Sequence, residues 1–167
     1  MVMTENRSFL LVCLGNICRS PLAEAALRDA AARAGVAIEV DSAGTGAWHV
    51  GHPPDPRAQA VALTHGIDIS GYRARQVEAA DYRRFTDILA LDRDNLAEVR
   101  RRAPKDAVAR IGLLMDVVPG RKGQAVADPY YGDAAGFETT WADVSAAAEA
   151  IVAGLVPDRH SRAGGNR

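Results

Sequence analysis

Short apolar runs alternate along the chain with longer stretches in which apolar residues recur every three or four positions. This is the pattern of a parallel sheet wrapped by helices. Four runs predict strands, Phe9 to Val12, Ala37 to Val40, Asp87 to Leu91 and Arg110 to Met115, and their continuous apolar character predicts burial on both faces. Between the first two, Ser20 to Ala34 sets Leu22, Ala26, Ala30 and Ala34 on one stripe, with Glu24, Arg28 and Asp29 elsewhere. That reads as an amphipathic helix with Ser20 as N-cap, Pro21 at its first position and Gly35 as terminator. Further helices are expected over Asp55 to His65, Asp92 to Arg102 and Phe137 to Leu155, with a short one within Gln76 to Arg84. Val118 to Gly136 is a long connection of the kind that tends to carry function. The class expected is α/β, a three-layer, four-stranded parallel twisted sheet with helices on both faces in a single domain over residues 1–157, and a disordered tail over residues 158–167.

With 48% hydrophobic and 25% charged residues, the 167-residue chain can bury a real core. A net charge of −1 supplies no global basic field for nucleic acid or an anionic membrane surface, so any anion site has to be local. The apolar run Phe9 to Leu14 is far short of the roughly 20 residues of a membrane span, and no basic leader and cleavage site frame it as a signal peptide. A cytoplasmic protein is expected, with neither nucleic acid nor membrane as partner. Cys13 and Cys18 are the only cysteines, which is no framework for a secreted disulfide scaffold. A thiol kept for its reactivity explains them better.

The stretch Val12-Cys13-Leu14-Gly15-Asn16-Ile17-Cys18-Arg19-Ser20-Pro21 joins the first strand to the first helix, where open α/β sheets bind ligands. Successive inward N–H groups and the positive end of the following helix would make it a cradle for a dianion. Cys13 and Arg19 stand at its two ends with Cys-(x)5-Arg spacing. Arg19 can fork onto two oxygens of a phosphate while the sulfur lies beneath the phosphorus. An ordinary thiol is only about 3% ionised at neutral pH, and helix termini and nearby cations favour the thiolate. Gly15 and Asn16 suit a turn that needs positive φ, and Ser20 can cap the helix or donate to the thiolate. By itself the spacing also fits a buried cysteine at a strand end beside a surface arginine.

Those ten residues resemble the signature of the low-molecular-weight protein tyrosine phosphatases without interruption. Ser42 to Gly51, Arg73 to Gln76 and Asp128-Pro129-Tyr130-Tyr131-Gly132 resemble further blocks of that family, in its order, and the likeness spans roughly Ser8 to Leu155. The resemblance implies a flavodoxin-like or Rossmann-like phosphatase domain acting on phosphotyrosine proteins. Cys13 would form a phosphocysteine, Arg19 would bind the phosphoryl group, and Leu14, Gly15, Asn16, Ile17, Cys18 and Ser20 would complete the phosphate loop. Asp128 would be the general acid and base. A tyrosyl leaving group with pKa near 10 needs a proton independently of any family, although Asp-Pro is also a common turn initiator. Trp48, Tyr130 and Tyr131 would wall the substrate cleft, Cys18 would be a reversible disulfide partner of Cys13, and the two tyrosines are candidate phosphorylation targets. No cofactor and no metal are expected, and a monomer or weak dimer is. One departure stands out, Tyr72 where many members carry a histidine that braces the loop.

Other readings fare less well. His49, His52 and His65 with the cysteines match no ligand spacing, and no Gly-Lys-Ser/Thr follows a glycine-rich turn. An arsenate reductase of the same fold relays a disulfide through cysteines far along the chain, and none follows Cys18. A phosphotyrosine-binding adaptor would not need Cys13, Arg19 and Asp128 together.

Overall fold

A computed structural model describes residues 7–156; the expected tail lies outside the described residues, as does the boundary before it. Strands β1 (Ser8–Cys13), β2 (Glu39–Gly44), β3 (Asp87–Ala90) and β4 (Arg110–Leu113) form one fully parallel sheet in the order β2-β1-β3-β4. Helices α1 (Arg19–Ala34), α2 (Pro56–Thr64) and α5 (Ala134–Gly154) pack on one face, and α3 (Asp81–Arg84) and α4 (Arg93–Arg102) on the other. No helix among the described residues is long and apolar enough to cross a membrane.

β1 explains the layering. Its side chains alternate, so Phe9 and Leu11 enter the core under α1 and α5, while Leu10 and Val12 enter the one formed by Tyr82, Phe85, Ile88 and Val99. The alanine stripe of α1 lets α5 approach closely with Trp141, Val144, Ala148 and Ile151. Each fully buried Leu, Ile or Phe contributes about 1.5–3 kcal/mol. Asp55 and Asp92 cap α2 and α4, accepting from the Arg57 and Asn95 amides, and Gly35 ends α1 in the left-handed region.

Several expectations need correcting. Ser20 is not a cap, because α1 begins at Arg19 with Cys18 at the N-cap position and no side chain capping it. Ala34 is exposed, whereas Glu24 is buried. β2 starts two residues later than expected and runs on through Ser42-Ala43-Gly44, whose pairing with Leu11, Val12 and Cys13 outweighs their small, polar character. β4 is an edge strand with only Leu113 buried, and the chain turns into a 3-10 helix at Leu114. Of Gln76 to Arg84 only the last four residues are helical, since Gln76 instead bridges to Gly44 at the end of β2. α5 begins at Ala134, three residues before Phe137. The long connection after β4 is pinned where the buried Val126 donates its N–H to the Leu91 carbonyl at 2.8 Å.

Candidate active site

The chain reverses its direction of progress across the sheet at β1, so the loop leaving Cys13 sits at the switch point where such sheets bind ligands. Asn16 holds that loop together. It is the only non-glycine residue at positive φ (59°) among the described residues, and its side chain is buried. Its Nδ2 donates to Ser20 Oγ at 2.8 Å and Ser42 Oγ at 3.0 Å, and its Oδ1 accepts from the Arg75 amide at 3.0 Å. Ser42 Oγ in turn donates to Glu24 Oε1 at 2.6 Å. Burial pushes the Glu24 pKa up despite the opposing pull of Ser42 and Arg28.

These partners fix the direction of every proton in the chain. The Arg75 N–H can only donate, so the amide of Asn16 has to turn its NH2 toward the two serines. Ser20 Oγ therefore accepts from Asn16, and its own proton is left for Cys13 Sγ, 3.0 Å away. The Asn16 N–H also donates to Sγ, at 3.3 Å. Both contacts aim a donor hydrogen at the sulfur. α1 starts at the end of the same loop without a side-chain cap, so its positive dipole end is turned to the loop. Of the two roles open to Ser20, donation to sulfur is the one its position serves.

Gly15 does not need positive φ, contrary to expectation. It needs space, since a Cβ there would stand 3.0 Å from the His49 ring. Tyr72 lies half-buried beside Glu24 and Arg28, and burial first, then Glu24, pushes its phenol up to about 12. No hydrogen bond joins its hydroxyl to the loop among the described residues; bracing comes from Ser42, Glu24 and Arg75 instead.

Arg19 is buried with its guanidinium clamped. Nη1 donates to Asp92 Oδ2 at 2.7 Å and to the Val126 carbonyl at 3.0 Å, and Nη2 lies 3.7 Å from Asp128 Oδ2. Burial alone would lower its pKa, but Cys13, Asp92 and Asp128 outweigh burial and leave it above its ordinary value. By sequence alone Asp92 is only the start of a helix. It is both the cap of α4 and the anchor of Arg19, and its position in the short turn from β3 to α4 is the available signal.

A cleft of about 440 Å³ opens over this floor, lined by Cys13, Leu14, Gly15, Ile17, Cys18 and Arg19 below and by Trp48, His49, Asp128, Tyr130 and Tyr131 around its mouth. Trp48 is 70% exposed, and its ring lies on the Gly46 backbone so closely that a Cβ there would sit 1.9 Å from it. Tyr130 and Tyr131 pack edge to face with centroids 4.8 Å apart. Asp128 faces the cleft while its Oδ1 accepts from the Tyr130 amide at 3.1 Å, so it is turn-former and cleft group at once. His49 was not anticipated as a lining residue. Cys13 and Cys18 are both free thiols, and burial first, then Asp55, Cys13 and Asp128, pushes the Cys18 pKa far up. Among the described residues no group of three or more His, Cys, Asp or Glu side chains is placed to hold a metal ion.

The family model for low molecular weight phosphotyrosine protein phosphatase matches residues 8–161. The chain is 43% identical, over 81% of its length and 88% of the relative's, to low molecular weight phosphotyrosine protein phosphatase 1 of Drosophila melanogaster. It is 41% identical, over 91% of its length and 95% of the relative's, to a low molecular weight protein-tyrosine-phosphatase of Streptomyces coelicolor. The solved structure of YfkJ from Bacillus subtilis covers 93% of this chain and 98% of its own, at 38% identity and a TM-score of 0.84.

Proposed function

The chain belongs to the low molecular weight phosphotyrosine protein phosphatase family, and from that premise we propose that it hydrolyses phosphotyrosine in cytoplasmic phosphoproteins, and aryl phosphates generally, without a cofactor. The observation that carries this reading is the convergence of Cys13, Arg19 and Asp128 on one cleft, with Arg19 3.7 Å from Asp128.

Cys13 Sγ, ionised with the Ser20 and Asn16 donors aimed at it, attacks phosphorus opposite the tyrosyl oxygen. The S–P bond forms as the P–O bond breaks. Arg19, already clamped by Asp92, meets the phosphoryl oxygens without reorganising. Asp128 gives its proton to the departing phenolate. As a carboxylate it then takes a proton from water attacking the phosphocysteine, which releases inorganic phosphate and restores the thiolate. Leu14, Gly15, Asn16, Ile17, Cys18 and Ser20 shape the phosphate cradle, while Trp48, Tyr130 and Tyr131 flank the ring. When peroxide oxidises Cys13 to a sulfenic acid, Cys18 displaces water to form a disulfide, which a cellular thiol reduces.

Hydrolysis of p-nitrophenyl phosphate by the wild-type protein, undiminished in chelator and abolished in Cys13→Ser, is the expected result. Turnover surviving in Cys13→Ser would sink the assignment.

A further inference from the structure

Leu14 and Trp48 form a ridge, and beyond it lies a second cleft of about 460 Å³ that shares only those two lining residues with the first. One wall is the first turns of α4. There Asn95 is 4% exposed, and its Oδ1 is the one buried side-chain polar atom without a hydrogen-bond partner among the described residues. An acceptor left in that state is destabilising, so the position favours a ligand that brings a donor.

The charges around it have the matching sign. Asp94 is exposed and tied by no hydrogen bond or ion pair among the described residues. Glu98 is shared by Arg101 and Arg102, of which only Arg102 lines the cleft, so the lining sets two carboxylates against one guanidinium. Gln76 is committed to the Thr45 carbonyl at 3.0 Å. What remains uncommitted is the Asp94 carboxylate, the Thr45 hydroxyl and the Asn95 amide, so that the only uncommitted charge is negative.

Building on the phosphatase reading, we propose that this cleft is a substrate subsite for a lysine or arginine side chain one to three residues from the phosphotyrosine. With the phosphorylated ring on one side of Trp48, an extended peptide advances about 3.4 Å per residue. A neighbouring side chain thus clears the indole and drops beyond the ridge. Its cationic head meets Asp94, and its N–H groups reach toward Asn95 once the amide shifts to receive them. The ridge residues touch both parts of the substrate, so they align the peptide as well as the ring.

The test compares phosphotyrosine peptides that differ only in carrying Arg or Ala at positions flanking the phosphotyrosine, on each side in turn. The ratio of kcat/KM values is taken within each protein, so that any loss common to both peptides cancels. In the wild type the Arg peptide is expected to be favoured about three- to tenfold at low ionic strength on one side of the phosphotyrosine, with the preference shrinking as salt rises. In Asp94→Lys the ratio falls to one or reverses. Equal values for both peptides in the wild type, or an Arg preference that survives in Asp94→Lys, would overturn the subsite alone. Failure of the wild type to hydrolyse either peptide or p-nitrophenyl phosphate would overturn the phosphatase reading, and the subsite with it.

Discussion

Residues Leu14 to Cys18 and residues Asp128 to Gly132 face the same cleft from opposite sides. In the first, Asn16 alone takes part in four hydrogen bonds, to Cys13, Ser20, Ser42 and Arg75, and is 3% exposed. In the second, the Asp128 side chain is 42% exposed and Tyr131 is 93% exposed. Its ties are two turn hydrogen bonds, the 3.7 Å approach of Asp128 to Arg19 and the donation from Arg57 to the carbonyls of Tyr130 and Gly132. The difference matches the two jobs that the proposed mechanism gives them. Stabilising charge on sulfur and phosphate requires dipoles fixed in advance, because any reorganisation would be spent during the reaction. Delivering a proton to leaving groups on bulky proteins requires a group that can give way for entry and release.

The fixed side breaks most severely at its cation. Arg19→Lys loses the fork and cannot hold Asp92, the Val126 carbonyl and a phosphate together, so kcat should fall by about 10²–10³. Steady-state kinetics with circular dichroism as a folding control would measure it, and a loss under about tenfold would show that the clamp is dispensable. On the yielding side, Asp128→Asn keeps the turn acceptor but lacks the proton. Phenyl phosphate should then slow by about 10²-fold or more, and p-nitrophenyl phosphate, with its better leaving group, far less. Equal losses for both would remove Asp128 from the acid role.

Stability should separate the two loops as well. Asn16→Ala takes one partner from each serine, unpairs the Arg75 amide and puts at positive φ a residue that tolerates it less well than asparagine, a loss of about 2–4 kcal/mol. Asn16→Gly should lose less, because the backbone conformation is then free. Tyr131→Ala should leave the denaturation midpoint in place. If instead Asn16→Ala and Tyr131→Ala melted alike, the contrast in rigidity would be mistaken.

How much of this the chain discloses by itself also differs between the regions. β1, the phosphate turn and α1 form one contiguous stretch whose apolar run, glycine, proline and Cys-(x)5-Arg spacing speak locally, and the element order was readable from such signals. The braces were not. Glu24 looks like a surface position of a helix until Ser42 reaches it across 18 residues, and Asp92 looks like a cap until Arg19 reaches it across 73. Those contacts depend on which strands become neighbours. The same dependence moved β2, whose second half is held by its register with β1 rather than by its composition.

The smallest effect sharpens the comparison from the yielding side. Arg57 straps the acid loop to α2, and Asp55 holds Arg57 in place at 2.9 Å. Arg57→Gln should lower kcat about two- to fivefold without disturbing the phosphate loop, because the strap is exposed and orders only the acid. Its pH dependence has a definite sign. Hydrogen bonds from Arg57 hold the Asp55 carboxyl below its ordinary 3.8, against the opposing effect of burial. A carboxyl depressed in the folded state contributes fully above its unfolded value and loses that contribution only as pH falls through the folded one. The strap therefore stays charged from about pH 5 to about pH 8, and the ratio of wild-type to Arg57→Gln kcat should be flat across that window. A ratio that drifts near neutrality would mean that the acid loop is ordered by some other titrating group, and that Arg57 is not what holds it.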